Sequence, residues 1–75
     1  MQQLTQEQQE LIKQKEELIL QKATLLKEYK SYEKDLEFAF DGFEEGIISA
    51  KRDKLAFKIR SLGAQIREIE ALELS

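Results

Sequence analysis

Leucine recurs at every seventh position through the first half of the chain, at Leu4, Leu11, Leu18 and Leu25, and Tyr32 and Ala39 continue the series. A second series, Ile48, Leu55, Leu62 and Ile69, runs through the other half. Apolar residues repeating every seven positions mark helices that bury a narrow seam against other helices. One interruption separates the series, Asp41-Gly42-Phe43-Glu44-Glu45-Gly46. The pattern predicts an all-α fold, an antiparallel coiled-coil-like helical hairpin. It forms a single unit over residues 1–75, with helix one at about 4–45, a turn at about 42–48 and helix two at about 49–74.

A chain of 75 residues has room for one thin core, near the size at which a single core is marginal. Two helices cover only one face of each other, so the hairpin is expected to dimerise into a four-helix bundle or to meet a partner. Cysteine and histidine are both absent. Their absence excludes disulfides, thiol chemistry, the usual zinc sites and the commonest general base. Proline is absent too, which suits long unbroken helices. There is no apolar run approaching the roughly 18 residues of a membrane span, and no charged start leading into an apolar signal core. The expectation is a cytoplasmic protein with no membrane contact.

With leucines at position d of helix one, position a holds Gln8, Lys15, Lys22, Tyr29, Leu36 and Phe43, and position e holds Ile12, Ile19, Leu26 and Phe40. An apolar stripe of a, d and e near the turn, narrowing to d and e toward the N-terminus, suits a bundle better than a strict two-stranded seam. The polar a residues Gln8, Lys15 and Lys22 have two readings. They specify register or oligomeric state, or their aliphatic stems cover apolar surface while the heads reach water. The second is favoured, because lysine stems suit it. Tyr29, Tyr32, Phe38, Phe40 and Phe43 cluster near the turn. Stacking on nucleic-acid bases is disfavoured by the acidic residues among them, so they are expected to form a core plug where the helices diverge.

Gly42 and Gly46 are the candidate stops of helix one, since glycine tolerates the left-handed conformation of a C-terminal cap. Gly46 is preferred because it keeps Phe43 in register with Leu36. Ser49 is then the expected N-cap of helix two. The acidic run Glu37, Asp41, Glu44 and Glu45 lacks the oxygen spacing of a calcium loop and reads as a solvated helix end.

Helix two carries the cleaner repeat, with Leu55, Leu62 and Ile69 at d, Ile59 and Ile66 at a, and Arg52 and Glu73 at its ends. Ala56, Gly63 and Ala64 flank it. Gly63 costs an exposed helix about 1 kcal/mol relative to alanine. Close approach of another helix and simple tolerance both account for it. Phe57, at position f, is either an exposed contact residue or part of a second interface, and the interface is favoured in a four-helix assembly.

Residues 1–46 carry 6 basic and 11 acidic side chains and residues 47–75 carry 6 and 4, so the halves bear −5 and +2. Folding the chain about residue 45 places Glu33, Asp35, Glu37 and Asp41 opposite Lys51, Arg52, Lys54 and Lys58. The basic stretch therefore has a partner within the molecule, which argues against nucleic-acid binding through it. The same register leaves Leu4, Leu11 and Ile12 without cover from their own chain.

The segment Phe43-Glu44-Glu45-Gly46-Ile47-Ile48-Ser49, followed by a leucine/isoleucine heptad, resembles the coiled-coil hairpin of large serine recombinases over about a third of the chain. The resemblance implies contacts between protein subunits. The apolar positions after Ser49 fall about two residues later than in that family. The catalytic serine and DNA-contact residues of the recombinases have no counterpart here.

There is no nucleophile–base pair, phosphate-binding glycine loop or metal constellation. The expected function is therefore a non-catalytic protein–protein interaction module without cofactor, metal or small-molecule ligand. It would bind a second copy of itself and another protein, as a scaffolding, assembly-chaperone or inhibitor protein does. A dimeric hairpin that binds nucleic acid is the alternative; it resembles the small RNA-binding plasmid-control proteins in architecture alone. The residues expected at the interface are Leu4, Leu11, Ile12, Leu18, Ile19, Leu25, Leu26, Phe57, Leu62, Ile66 and Ile69.

Overall fold

Thr5 starts the first helix. Its hydroxyl accepts the Gln8 backbone N–H at 3.1 Å, and Gln8 Oε1 accepts the Thr5 N–H at 2.9 Å, a reciprocal capping box. Gln8 is thus occupied in capping, which explains one of the polar a residues. The computed structural model describes residues 5–74 and shows two helices, α1 (Gln6–Glu37) and α2 (Gly42–Leu74), packed as an antiparallel hairpin. Its extents are 60 × 16 × 13 Å.

The turn lies earlier than either glycine predicts. The last turn of α1 tightens, as the Phe38 N–H donates to Asp35 O at 3.2 Å and the Ala39 N–H to Leu36 O at 3.3 Å. Asp41 then caps α2, its Oδ1 accepting the Glu44 N–H at 2.9 Å. Glu44 Oε2 reaches back to accept the Phe40 N–H at 3.1 Å. Two acidic residues, Glu44 and Glu45, sit in the first turn, where the helix dipole favours them. Neither Gly42 nor Gly46 has a positive φ, so neither is a C-cap, and both belong to α2. Helix one therefore ends at Glu37 instead of near residue 45, and helix two begins at Gly42 instead of near 49. Ser49 lies inside α2 and does not cap it.

The seam follows the heptad. On α1 the half-buried positions include Leu11, Lys15, Leu18, Lys22, Leu25, Tyr29, Tyr32 and Leu36, alternating four and three residues apart. Opposite them stand Ile48, Arg52, Leu55, Ile59, Leu62, Ile66, Ile69 and Glu73 on α2. Among the described residues Leu55, Ile66 and Ile69 are the buried apolar side chains, and α1 contributes none.

The aromatic plug does not form. Tyr29 and Tyr32 are half-buried in the seam, but Phe38, Phe40 and Phe43 are exposed, Phe40 to 91 %. With the helix ending at Glu37, Phe38 and Phe40 fall on the connecting segment and Phe43 on the outside of the first turn of α2. The cross-hairpin band of ion pairs is also not made. Among the described residues, Arg52 lies 3.8 Å from its neighbour Asp53, and no ion pair joins Glu33, Asp35, Glu37 or Asp41 to Lys51, Arg52, Lys54 or Lys58.

Candidate protein interaction surface

Two sides of the hairpin flank the seam, and they differ in chemistry. One carries a groove of about 180 Å³ lined by Leu26, Tyr29, Ala56, Ile59 and Arg60. The other carries grooves of about 300 and 260 Å³, with Gln14, Glu17, Gln21, Lys58, Ser61, Gln65 and Glu68 among their lining residues, and toward the open end one of about 620 Å³. Position e of both helices falls on the first side and position g on the second, as an antiparallel pair requires. The groove on the first side is lined by apolar side chains and Arg60, whereas those on the second are rich in amides and charges.

The expected interface residues divide accordingly. Leu18, Leu25, Leu62, Ile66 and Ile69 lie in the intramolecular seam, half-buried or buried. They hold the hairpin together. Ile19 and Leu26, at position e of α1, keep 46 % and 39 % of their surface exposed. Ile12 continues their row and is half-buried. Leu11 is half-buried as well and lines a groove with Leu72 of α2, so the open end has partial cover from its own chain. Phe57 is exposed and lines a groove on the polar side with Gln21 and Lys58. Leu4 lies outside the described residues.

The polar a residues of α1 behave differently from each other. Lys15 donates from Nζ to Glu73 Oε2 at 2.9 Å, and both side chains are about three-quarters covered. This hydrogen bond, reinforced by the charges of Glu73, Glu70 and Glu16 and opposed by burial, raises the Lys15 pKa above its ordinary 10.5. Lys22 lays its stem in the seam and brings its ammonium beside Gly63 of α2. A Cβ at Gly63 would meet that Nζ at 3.5 Å and nothing else within 4 Å. That is ordinary contact with a flexible tip, so no close approach of α1 demands glycine there.

A second apolar patch sits at the turn, where Phe38, Phe40, Phe43 and Ile47 are exposed beside Glu37, Asp41, Glu44 and Glu45. The signal for it was the spacing Asp41-x-x-Glu44, a capping pattern that ends α1 early and turns the phenylalanines outward.

The arrangement offers helix surfaces for docking. Among the described residues no group of three or more carboxylate, imidazole or thiol side chains could hold a metal ion, and no helix is long and apolar enough to cross a membrane. No protein-family model, curated protein or solved structure matches the chain.

Proposed function

We infer that the protein is a non-catalytic interaction module that acts through helix-to-helix contacts. It assembles with a second copy into a four-helix bundle and presents its remaining apolar surface, at the turn and at Phe57, to another protein. Scaffolding, assisting assembly or inhibiting a larger partner are the roles such a module serves.

The observation that carries this reading is the thinness of the core of one chain. Three apolar side chains are buried among the described residues, all of them on α2, while Ile19, Leu20, Leu26, Phe57 and the turn phenylalanines stay exposed. Covering apolar surface stabilises by about 25 cal/mol per Å², so association that buries these residues is favoured.

Thermal unfolding followed by circular dichroism tests it, at two protein concentrations about a hundredfold apart. A folded assembly gains stability by mass action, so its Tm rises with concentration. A Tm independent of concentration contradicts self-assembly.

A further inference from the structure

Every residue of α2 from Gly42 to Ile47 is exposed. In the register that pairs Lys15 with Glu73, the last residue of α1, Glu37, stands roughly level with Lys51. The first turns of α2 therefore run past the end of α1, with only the connecting residues 38–41 beside them. This overhang gathers the three most exposed large apolar side chains among the described residues. Phe38 is exposed to 78 %, Phe40 to 91 % and Phe43 to 80 %, and Ile47 follows at 44 %. Single apolar side chains on a surface are ordinary, whereas a cluster rimmed by polar groups marks a place of contact.

The rim is acidic throughout. Residues 35–50 hold Asp35, Glu37, Asp41, Glu44 and Glu45 and no lysine or arginine. All five are exposed, and among the described residues none takes part in an ion pair. Five acids without a base give the segment −5 in a chain that totals −3, so the rest of the chain bears +2.

We propose that this tip, built on Phe40, Phe43 and Ile47, docks a cationic amphipathic helix of another protein. The proposal rests on the reading of the chain as an interaction module, and names the chemistry of the partner that its turn receives.

Charge selects that partner. Nucleic acid and anionic lipid surfaces are repelled by five uncompensated carboxylates, and the tip of a second copy is repelled in the same way. A helix with lysine or arginine bordering an apolar stripe meets both parts of the patch at once. Shape agrees with charge. Phe43 and Ile47 stand one turn apart on one side of α2, a ridge of the kind that packs into the groove of a crossing helix. The tip is also held before a partner arrives, because Glu44 accepts the Phe40 N–H and Asp41 accepts the Glu44 N–H. A surface already ordered loses less freedom on binding. The open end of the hairpin suits the same partner less well. Its groove beside Leu11 and Leu72 is lined by Glu7, Glu10 and Glu17, but Lys13 lies among them and Lys15 pairs with Glu73.

Two short labelled peptides test the tip against the full chain by fluorescence anisotropy. One is a helix of leucine and lysine with its leucines on one face, and the other carries glutamate in place of lysine. The wild type should bind the first and not the second. The paired variant Phe40→Ala/Phe43→Ala should weaken binding about tenfold or more. Glu37→Gln/Glu45→Gln should weaken it several-fold at low salt and flatten its salt dependence. Phe57→Ala and Leu72→Ala should leave it unchanged. Neither pair of substitutions removes a capping side chain, and circular dichroism checks that each variant stays helical. A cationic peptide that does not bind, or that binds the phenylalanine variant as well as the wild type, overturns the tip. Loss of binding on Phe57→Ala or Leu72→Ala instead places the partner elsewhere, which overturns the tip and leaves the interaction reading standing. A native mass that falls on Phe40→Ala/Phe43→Ala puts a second copy at the tip and overturns the cationic partner. A chain that binds neither peptide, and whose Tm does not depend on concentration, overturns the reading together with the tip.

Discussion

The Lys15 ammonium lies 2.9 Å from Glu73 Oε2 and joins two a positions that the chain separates by 58 residues. The pair closes the open end of the hairpin, one residue from the end of α2. It sets the register, in which residue i of α1 faces roughly residue 88 − i of α2. A slip of one turn would leave a lysine in the apolar seam without a counter-charge, which is costly. The pair is not fully satisfied, since Glu73 Oε1 is buried without a hydrogen-bond partner. It fits a role in fixing register more than in adding stability.

Replacing one partner should therefore do more harm than replacing both. Glu73→Leu strands the ammonium and Lys15→Met strands the carboxylate, while the double variant extends the apolar seam. Urea unfolding of the four proteins should show a double variant more stable than either single one. Additive losses would mean that the two side chains do not interact.

The same pair predicts a pH dependence. Folding raises the Lys15 pKa above 10.5, so its contribution is complete below the unfolded value and is lost as pH rises through the folded one. The stability difference between wild type and Lys15→Met should hold from about pH 7 to about pH 9 and shrink above 10.5. Urea midpoints across that range measure it, and an unchanged difference at about pH 12 would count against the pairing.

Asp41 caps α2 through the Glu44 N–H, so Asp41→Ala should cost about 0.5–2 kcal/mol. Ser49→Ala, inside the helix, should be close to neutral. Gly46→Ala should stabilise by up to about 1 kcal/mol, because Gly46 has no positive φ and a Cβ there meets nothing within 4 Å. Denaturant midpoints rank the three. A loss on Gly46→Ala would restore glycine as the helix stop.

Burial separates Leu55 from the turn aromatics. Leu55→Ala should cost about 2–5 kcal/mol, whereas Phe40→Ala should stay within about 0.5 kcal/mol. Equal costs, again by urea unfolding, would mean that Phe40 is packed after all.

The seam was legible because its information is local. A seven-residue spacing names the inward positions of each helix, and nearly all of those from Leu11 to Ile69 lie at the helix–helix contact. The turn was not, because glycine and the Asp41-x-x-Glu44 cap made competing claims and the cap's hydrogen bonds prevailed. That displacement exposed Phe38, Phe40 and Phe43. It also changed the register by about two residues, and with it the ion pairs: the predicted band near the turn is not made, and Lys15 instead finds Glu73. Ile19 and Leu26 were named among the interface residues. The groove that Leu26 shares with Ala56 depends on which side of the seam each helix presents, which spacing alone does not decide.

Light scattering on a sizing column across a wide concentration range decides whether the hairpin self-assembles. The expected result is a constant native mass near twice the 8.8 kDa of the chain, with helicity to match two long helices. A helical species of single-chain mass throughout would contradict it, because the hairpin would then be stable with Ile19 and Leu26 open to water.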